Sequence, residues 1–100
     1  MSKEFMVKLT DTAHEDIEDI VRYIAHELKE PIAARNMHTK IVTSLKKLSN
    51  MPERHELVVD THLHSLNVRV FYIGNYIAPY SILEEENVVM ILRVLYARRD

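Results

Sequence analysis

The sequence predicts an α+β fold in the order β-α-α-β-β-β, with an N-terminal strand and a helix hairpin packed on one face of a mainly antiparallel sheet. Three observations predict it. Phe5, Val7 and Leu9 alternate with Met6 and Lys8 at a period of two. From Ala13 to Leu48 the apolar residues recur at intervals of three and four, the helical period. From Asn67 onward the chain returns to short apolar runs separated by a glycine and an acidic turn. Helices and strands segregated in this way pack as layers rather than alternating as βαβ units.

The first strand is short, with Phe5, Val7 and Leu9 as its buried face. Ala13, Ile17, Ile20, Val21, Ile24 and Leu28 then form the apolar stripe of a first helix. Glu15, Asp16, Glu18 and Asp19 load its opening turns with negative charge, which suits the positive end of a helix dipole. Thr12 with Glu15 fits a capping box, and Thr10 or Asp11 is equally able to cap. Pro31 is unfavourable inside a helix but suited to its first position, so the helical text breaks near Glu30 and a second helix begins. Ala34, Met37, Ile41, Leu45 and Leu48 make that helix's stripe, which runs to about Asn50. So short a connection gives an antiparallel hairpin. Residues 11–30 hold seven acids against two bases, and residues 31–50 hold four bases and no acid, so the two helices attract as neighbours. Exposed ion pairs are worth about 0.2–1 kcal/mol each, enough to select a pairing rather than to hold it.

Met51-Pro52-Glu53-Arg54 reads as a loop and Leu57–Leu63 as a strand, with Ser65 turning the chain. The runs NVRVFYIG, NYIAPYSILEEE and NVVMILRVLYARRD supply the rest of the meander, punctuated by Gly74 and by Glu84-Glu85-Glu86-Asn87. Val88 to Ala97 is almost unbroken apolar sequence apart from Arg93, as expected of a strand buried on both faces in the middle of a sheet.

A length of 100 residues fits one domain, residues 1–100, with a conventional core. Cysteine is absent, which excludes disulfides and thiol chemistry. A net charge of −2 confines any anionic partner to a local patch. No apolar run approaches the roughly 20 residues of a membrane span, and the start MSKEFMVKLT lacks the apolar core of a signal peptide. A soluble, cytoplasmic protein is the expectation.

His62 and His64 share a strand face, with His55 as the nearest third ligand and no cysteine available, so no metal centre is expected. Arg69 and Arg93 fall inside strand text. A guanidinium there is either paired, with Asp60 or Glu84 as candidates, or turned toward a planar anion. Tyr72, Tyr76, Tyr80 and Tyr96 fall in the meander beside Arg98 and Arg99, a pattern shared by packed strands and by single-strand nucleic-acid binders. Gly74 is the only glycine, so there is no phosphate-binding loop, and no cofactor is expected.

KLTDTAHEDIEDIVRYI, EPIAARN, LKKLSNMPE, VRVFYIGNYIAPYSI and ILRVLYARRD, in that order, resemble the RelE/ParE superfamily of toxins from type II toxin–antitoxin systems over essentially the full length. The resemblance implies the element order derived above. It also implies one of two activities: RelE-like, ribosome-dependent cleavage of mRNA, or ParE-like inhibition of DNA gyrase through protein binding. RelE-like members resemble one another in carrying basic residues on the central strands, where this chain has Val68, Val70 and, after Tyr76, Ile77. The ending resembles ParE, with Tyr96 where a histidine is usual. The expectation is therefore a gyrase-binding toxin, not an enzyme, that grips its target with Arg93, Tyr96, Arg98 and Arg99. The alternative is an endoribonuclease using Arg69, Arg93, Tyr96 and Arg98, acting on the ribosome and its mRNA. A third reading is an inactive or non-toxin binding module on the same fold. A cognate antitoxin is the implied partner, laid over an apolar groove, in a homodimer or a toxin–antitoxin hetero-oligomer without membrane contact.

Overall fold

The computed structural model describes residues 4–55 and 67–97. In chain order it contains strand β1 (Met6–Leu9), helix α1 (Asp11–Arg22) with a π-helical turn at Tyr23–Glu27, and helix α2 (Pro31–Lys46). Strands β2 (Arg69–Ile73), β3 (Tyr76–Leu83), β4 (Val88–Ile91) and β5 (Leu95–Tyr96) follow. The strands form one sheet in the order β1-β4-β3-β2, with β5 pairing β3 beyond the end of β4. Among the described strands, only β1 and β4 run parallel. The expected order and the mainly antiparallel sheet are both present. The proposed strand Leu57–Leu63 lies outside the described residues, as do His62, His64 and Asp60.

Thr10 resolves the choice of cap. Its backbone is extended, and its hydroxyl accepts from Ala13 N–H at 3.0 Å, so Thr10, not Thr12 or Asp11, is the cap and Asp11 is the first helical residue. Ala13, Ile17 and Ile24 are buried as the stripe requires, with Ile20 and Val21 packed against the core. Leu28, expected on the same stripe, is 53% exposed. The π turn explains this: Leu28 N–H bonds to the carbonyl of Tyr23, five residues back, which widens the helix and carries Leu28 off the buried face. Lys29 then takes a left-handed conformation (φ 54°) and Glu30 N–H reaches the Ile24 carbonyl, a Schellman-type ending without glycine. Pro31 opens α2 as anticipated.

The cross-strand registers place Val7, Leu9, Val89, Ile91, Ala78, Tyr80 and Ile73 on one face of the sheet. Against them pack Ala13 and Ile17 of α1 and Ile41 and Leu45 of α2, with Leu48 from the turn that follows. Met6, Lys8, Met90, Ile77, Val70 and Tyr72 point to the opposite face. Gly74 supplies the positive φ (56°) that the two-residue β2–β3 hairpin loop needs at its first position. Asn87 (φ 56°) closes the acidic turn in the same conformation. Among the described residues, no helix is long and apolar enough to cross a membrane.

The expectation of one continuous strand from Val88 to Ala97 is corrected: pairing stops at Ile91 and resumes at Leu95. Pro79 is the cause. Leu92 N–H donates to the Pro79 carbonyl at 2.8 Å, but proline has no N–H to return to the Leu92 carbonyl. Thr10 takes its place, its hydroxyl donating to Leu92 O at 2.9 Å. A half-buried carbonyl that the sheet leaves unpaired is thus satisfied by the residue that caps α1.

Candidate functional site

The interruption between β4 and β5 is a β-bulge. Tyr80 faces Ile91 and Ile77 faces Leu95, so two residues of β3, Ala78 and Pro79, stand opposite three: Leu92, Arg93 and Val94. The extra residue leaves Val94 N–H without a partner on β3. Asp16, one turn and a half into α1, supplies the acceptor: its Oδ2 takes Val94 N–H at 2.9 Å and Arg93 Nε at 2.7 Å, while Oδ1 takes Arg93 Nη2 at 3.0 Å. A fork of this kind is the strong form of the ion pair. The Arg93 hydrogen bond is the main influence holding the Asp16 carboxyl below its ordinary value, against the opposing effect of burial. Asp16 in turn raises the Arg93 guanidinium.

Arg93 is therefore neither within a strand nor paired with Glu84; its carboxylate partner is Asp16. Arg69 opens β2, and its guanidinium donates to the His55 carbonyl. His55 also sets its ring edge-on to Phe71 and Tyr80, at centroid separations of 5.0 and 6.3 Å. Burial, then the charges of Arg54 and Arg69, lowers the His55 pKa. Arg98 and Arg99 lie outside the described residues.

The four tyrosines do not form one surface. Tyr80 is fully buried and donates to the Pro52 carbonyl, and burial pushes its phenol up to about 12. Tyr72 projects alone from the opposite face. Tyr76 and Tyr96 face each other across β3 and β5, and their rings meet edge to face at 5.7 Å. Burial and then Tyr96 raise the Tyr76 pKa above its ordinary value, so this phenol holds its proton at neutral pH.

The tyrosine pair forms one wall of an apolar groove of about 640 Å³, whose other wall is Ile20, Tyr23, Ile24 and Leu28 with Asp19 at the rim. The π turn builds this wall, because it rotates Leu28 out of the core stripe and into the groove. Tyr23, Leu28 and Tyr96 remain 56%, 53% and 64% exposed, a contiguous apolar surface of the kind that marks a binding site. Of the predicted site residues that are described, only Tyr96 lines it. Asp16, Ile20, Tyr23 and Leu28 carried no sequence signal beyond helix charge and stripe, because their roles depend on a bulge and a π turn.

Two of the four ribonuclease candidates, Arg69 and Tyr96, stand apart on the sheet. Arg69 is level with Tyr80 and Tyr96 with Tyr76, four residues along β3, which is roughly 13 Å. On the sheet face away from the helices, Lys8 is the only cation among the described strand residues, and Val70 and Ile77 lie there instead of basic side chains. Among the described residues no group of three or more His, Asp or Glu stands close enough to hold a metal ion.

A family model described as the ParE toxin of the type II toxin–antitoxin system parDE matches residues 7–100. No curated protein matches the chain significantly. Among solved structures, the chain resembles one from the chromosomal ParDE toxin–antitoxin system of P. aeruginosa, with 20% identity, 97% of this chain and 100% of that chain covered, and a TM-score of 0.80. It also resembles a chain of the RelBE2 toxin–antitoxin complex of Mycobacterium tuberculosis, with 23% identity, 95% and 94% coverage and a TM-score of 0.65. At such identities these two likenesses establish a shared fold.

Proposed function

The chain belongs to the ParE family of type II toxin–antitoxin toxins, and from that premise we propose that it arrests growth by binding DNA gyrase rather than by cutting RNA. The placement of its cations carries this reading. Cleavage of a phosphodiester by its own 2′-hydroxyl needs a base and several cations gathered around one phosphate. Here Arg69 is tied to the His55 carbonyl, Arg93 is forked onto Asp16, and Tyr96 rests on Tyr76 roughly 13 Å along the strand from Arg69. The sheet face that would receive an RNA strand is apolar across Val70, Ile77 and Met90. Such a surface lacks the phosphate-neutralising charge on which RNA affinity depends.

In this reading the effector end runs from Arg93 to Asp100, with Tyr96, Arg98 and Arg99 as the contacts to gyrase and Arg93 at its base. A cognate antitoxin neutralises the protein by seating an amphipathic helix in the groove between Tyr23 and the Tyr76–Tyr96 pair, covering apolar surface that the toxin alone leaves in water. Because Tyr96 belongs both to the groove and to the effector end, an antitoxin seated there masks the grip directly.

Three measurements test the proposal. Induction of the chain alone should arrest bacterial growth, and purified protein should block gyrase supercoiling without cleaving ribosome-bound mRNA. Tyr96→Phe should leave both effects within about threefold of wild type, because the ring contact survives the loss of the hydroxyl. Cleavage of mRNA in the ribosomal A site, abolished by Tyr96→Phe, would assign the chain to the nuclease branch instead.

A further inference from the structure

We propose that Asp16 is a positioning residue that locks the register of the last strand and thereby decides which side chain of the effector end faces the groove. The consequence for target binding rests on the reading above; the register lock itself stands on geometry alone.

Side chains of a strand alternate between faces, so a slip of one residue exchanges them all. With three residues opposite two at Leu92–Val94, Tyr96 falls opposite Tyr76 and points to the helix side, while Leu95 falls opposite Ile77 and points away. Without the extra residue, Leu95 would face Tyr76, and Tyr96 would change sides. The hydrogen bonds of β3 do not enforce the bulge. Pro79 offers only its carbonyl, and β5 is held by two residue pairs plus one bond from Ala97 N–H to Asn75 O at 2.6 Å. What fixes the bulge is α1. Thr10 satisfies the Leu92 carbonyl, and the Asp16 carboxylate binds both the Val94 amide and the guanidinium of Arg93, a span of 77 residues of sequence in the latter case. Val94 is buried in the core, so a slip would turn its side chain to the opposite face and bring Arg93 to the helix side in its place. The arrangement makes Arg93 a part of the lock.

Asp16→Asn and Asp16→Ala test the lock, the first nearly isosteric in case the second fails to fold. Amide hydrogen exchange and ring-to-ring nuclear Overhauser contacts are read on the full chain, together with gyrase supercoiling. The expected result is at least about tenfold faster exchange at Val94 and Ala97, unchanged exchange at Ala78 and Val89, and loss of the Tyr76–Tyr96 contact. Gyrase inhibition should weaken at least about tenfold, although Arg93, Tyr96, Arg98 and Arg99 are all still present. An intact tyrosine contact with unchanged Val94 exchange would overturn the lock, as would a uniform rise at every amide, which marks general destabilisation. Inhibition that stays equal or rises once Arg93 is released would overturn the positioning role and make Arg93 a free gripping residue. Wild-type protein inert toward gyrase would overturn the functional reading, while the exchange and contact data would still decide the register lock.

Discussion

Tyr80→Phe removes one oxygen from the centre of the fold, and its effect can be worked out at two pH values. Tyr80 is fully buried, and its hydroxyl donates to the carbonyl of Pro52, itself fully buried. Phenylalanine keeps the ring and its contact with His55 but leaves that carbonyl without its donor, which costs about 1–3 kcal/mol. For a domain of this size the melting temperature should fall by about 5–15 °C. Alkali should narrow the difference. The folded phenol titrates at about 12 against an ordinary value of 10.0, so between those values the native state holds a proton that the unfolded chain releases. Stability is therefore fully present below pH 10 and is lost as pH rises through the folded value. By pH 11 that loss is about 1.4 kcal/mol in the wild type and absent in the variant. Urea unfolding followed by circular dichroism at pH 7.5, 9 and 11 should show the gap between the proteins narrowing by this amount. A variant within about 0.3 kcal/mol of wild type at pH 7.5, or a gap that does not change by pH 11, would refute the reasoning.

Two further outcomes follow from the site. Tyr23→Lys places a charge in the wall of the apolar groove, and titration calorimetry should show antitoxin affinity reduced at least about thirtyfold with the toxin's melting temperature little changed; wild-type affinity would remove the antitoxin from this groove. Acid should weaken the fold through His55, whose folded pKa lies below the ordinary 6.5: the unfolded chain binds the proton first, so stability is full above about pH 6.5 and falls as pH drops through the folded value. His55→Asn should flatten that slope between pH 7 and 5 in denaturant titrations, and an unaltered slope would show that another group carries it.

The element order, the helix break at Pro31 and the stripes of both helices were legible because each follows from local rules: period, cap chemistry and proline geometry. Phe5, Ala34, Ile41, Leu45 and Leu48 are buried, as their spacing required. What sequence reading missed depends on contacts distant along the chain. Val88–Ala97 looked continuous because nothing within it signals a break; the break comes from the missing N–H of Pro79 on the neighbouring strand. Arg93 looked like a cation in need of an anion, and the anion sits on α1. Asp16 was legible only as one of several acids near a helix start, which explains its place on the helix but not its partner. Leu28 was misplaced because a helical period assumes 3.6 residues per turn, and the π turn at Tyr23–Glu27 violates it.

The parallel pairing of β1 with β4 also has a consequence for the order in which the protein becomes complete. Met6–Leu9 finds its partner only in Val88–Ile91, and Thr10 bonds to Leu92 across 82 residues of sequence. During synthesis the helix hairpin is made early and can form from local contacts, while β1 waits with Val7 and Leu9 uncovered until β4 has been made. Contacts so far apart in the chain close late and slowly. The same event that seals the core also creates the bulge and brings Tyr96 beside Tyr76. On the function proposed above, a nascent chain would therefore lack its Tyr76–Tyr96 wall until the fold is nearly finished.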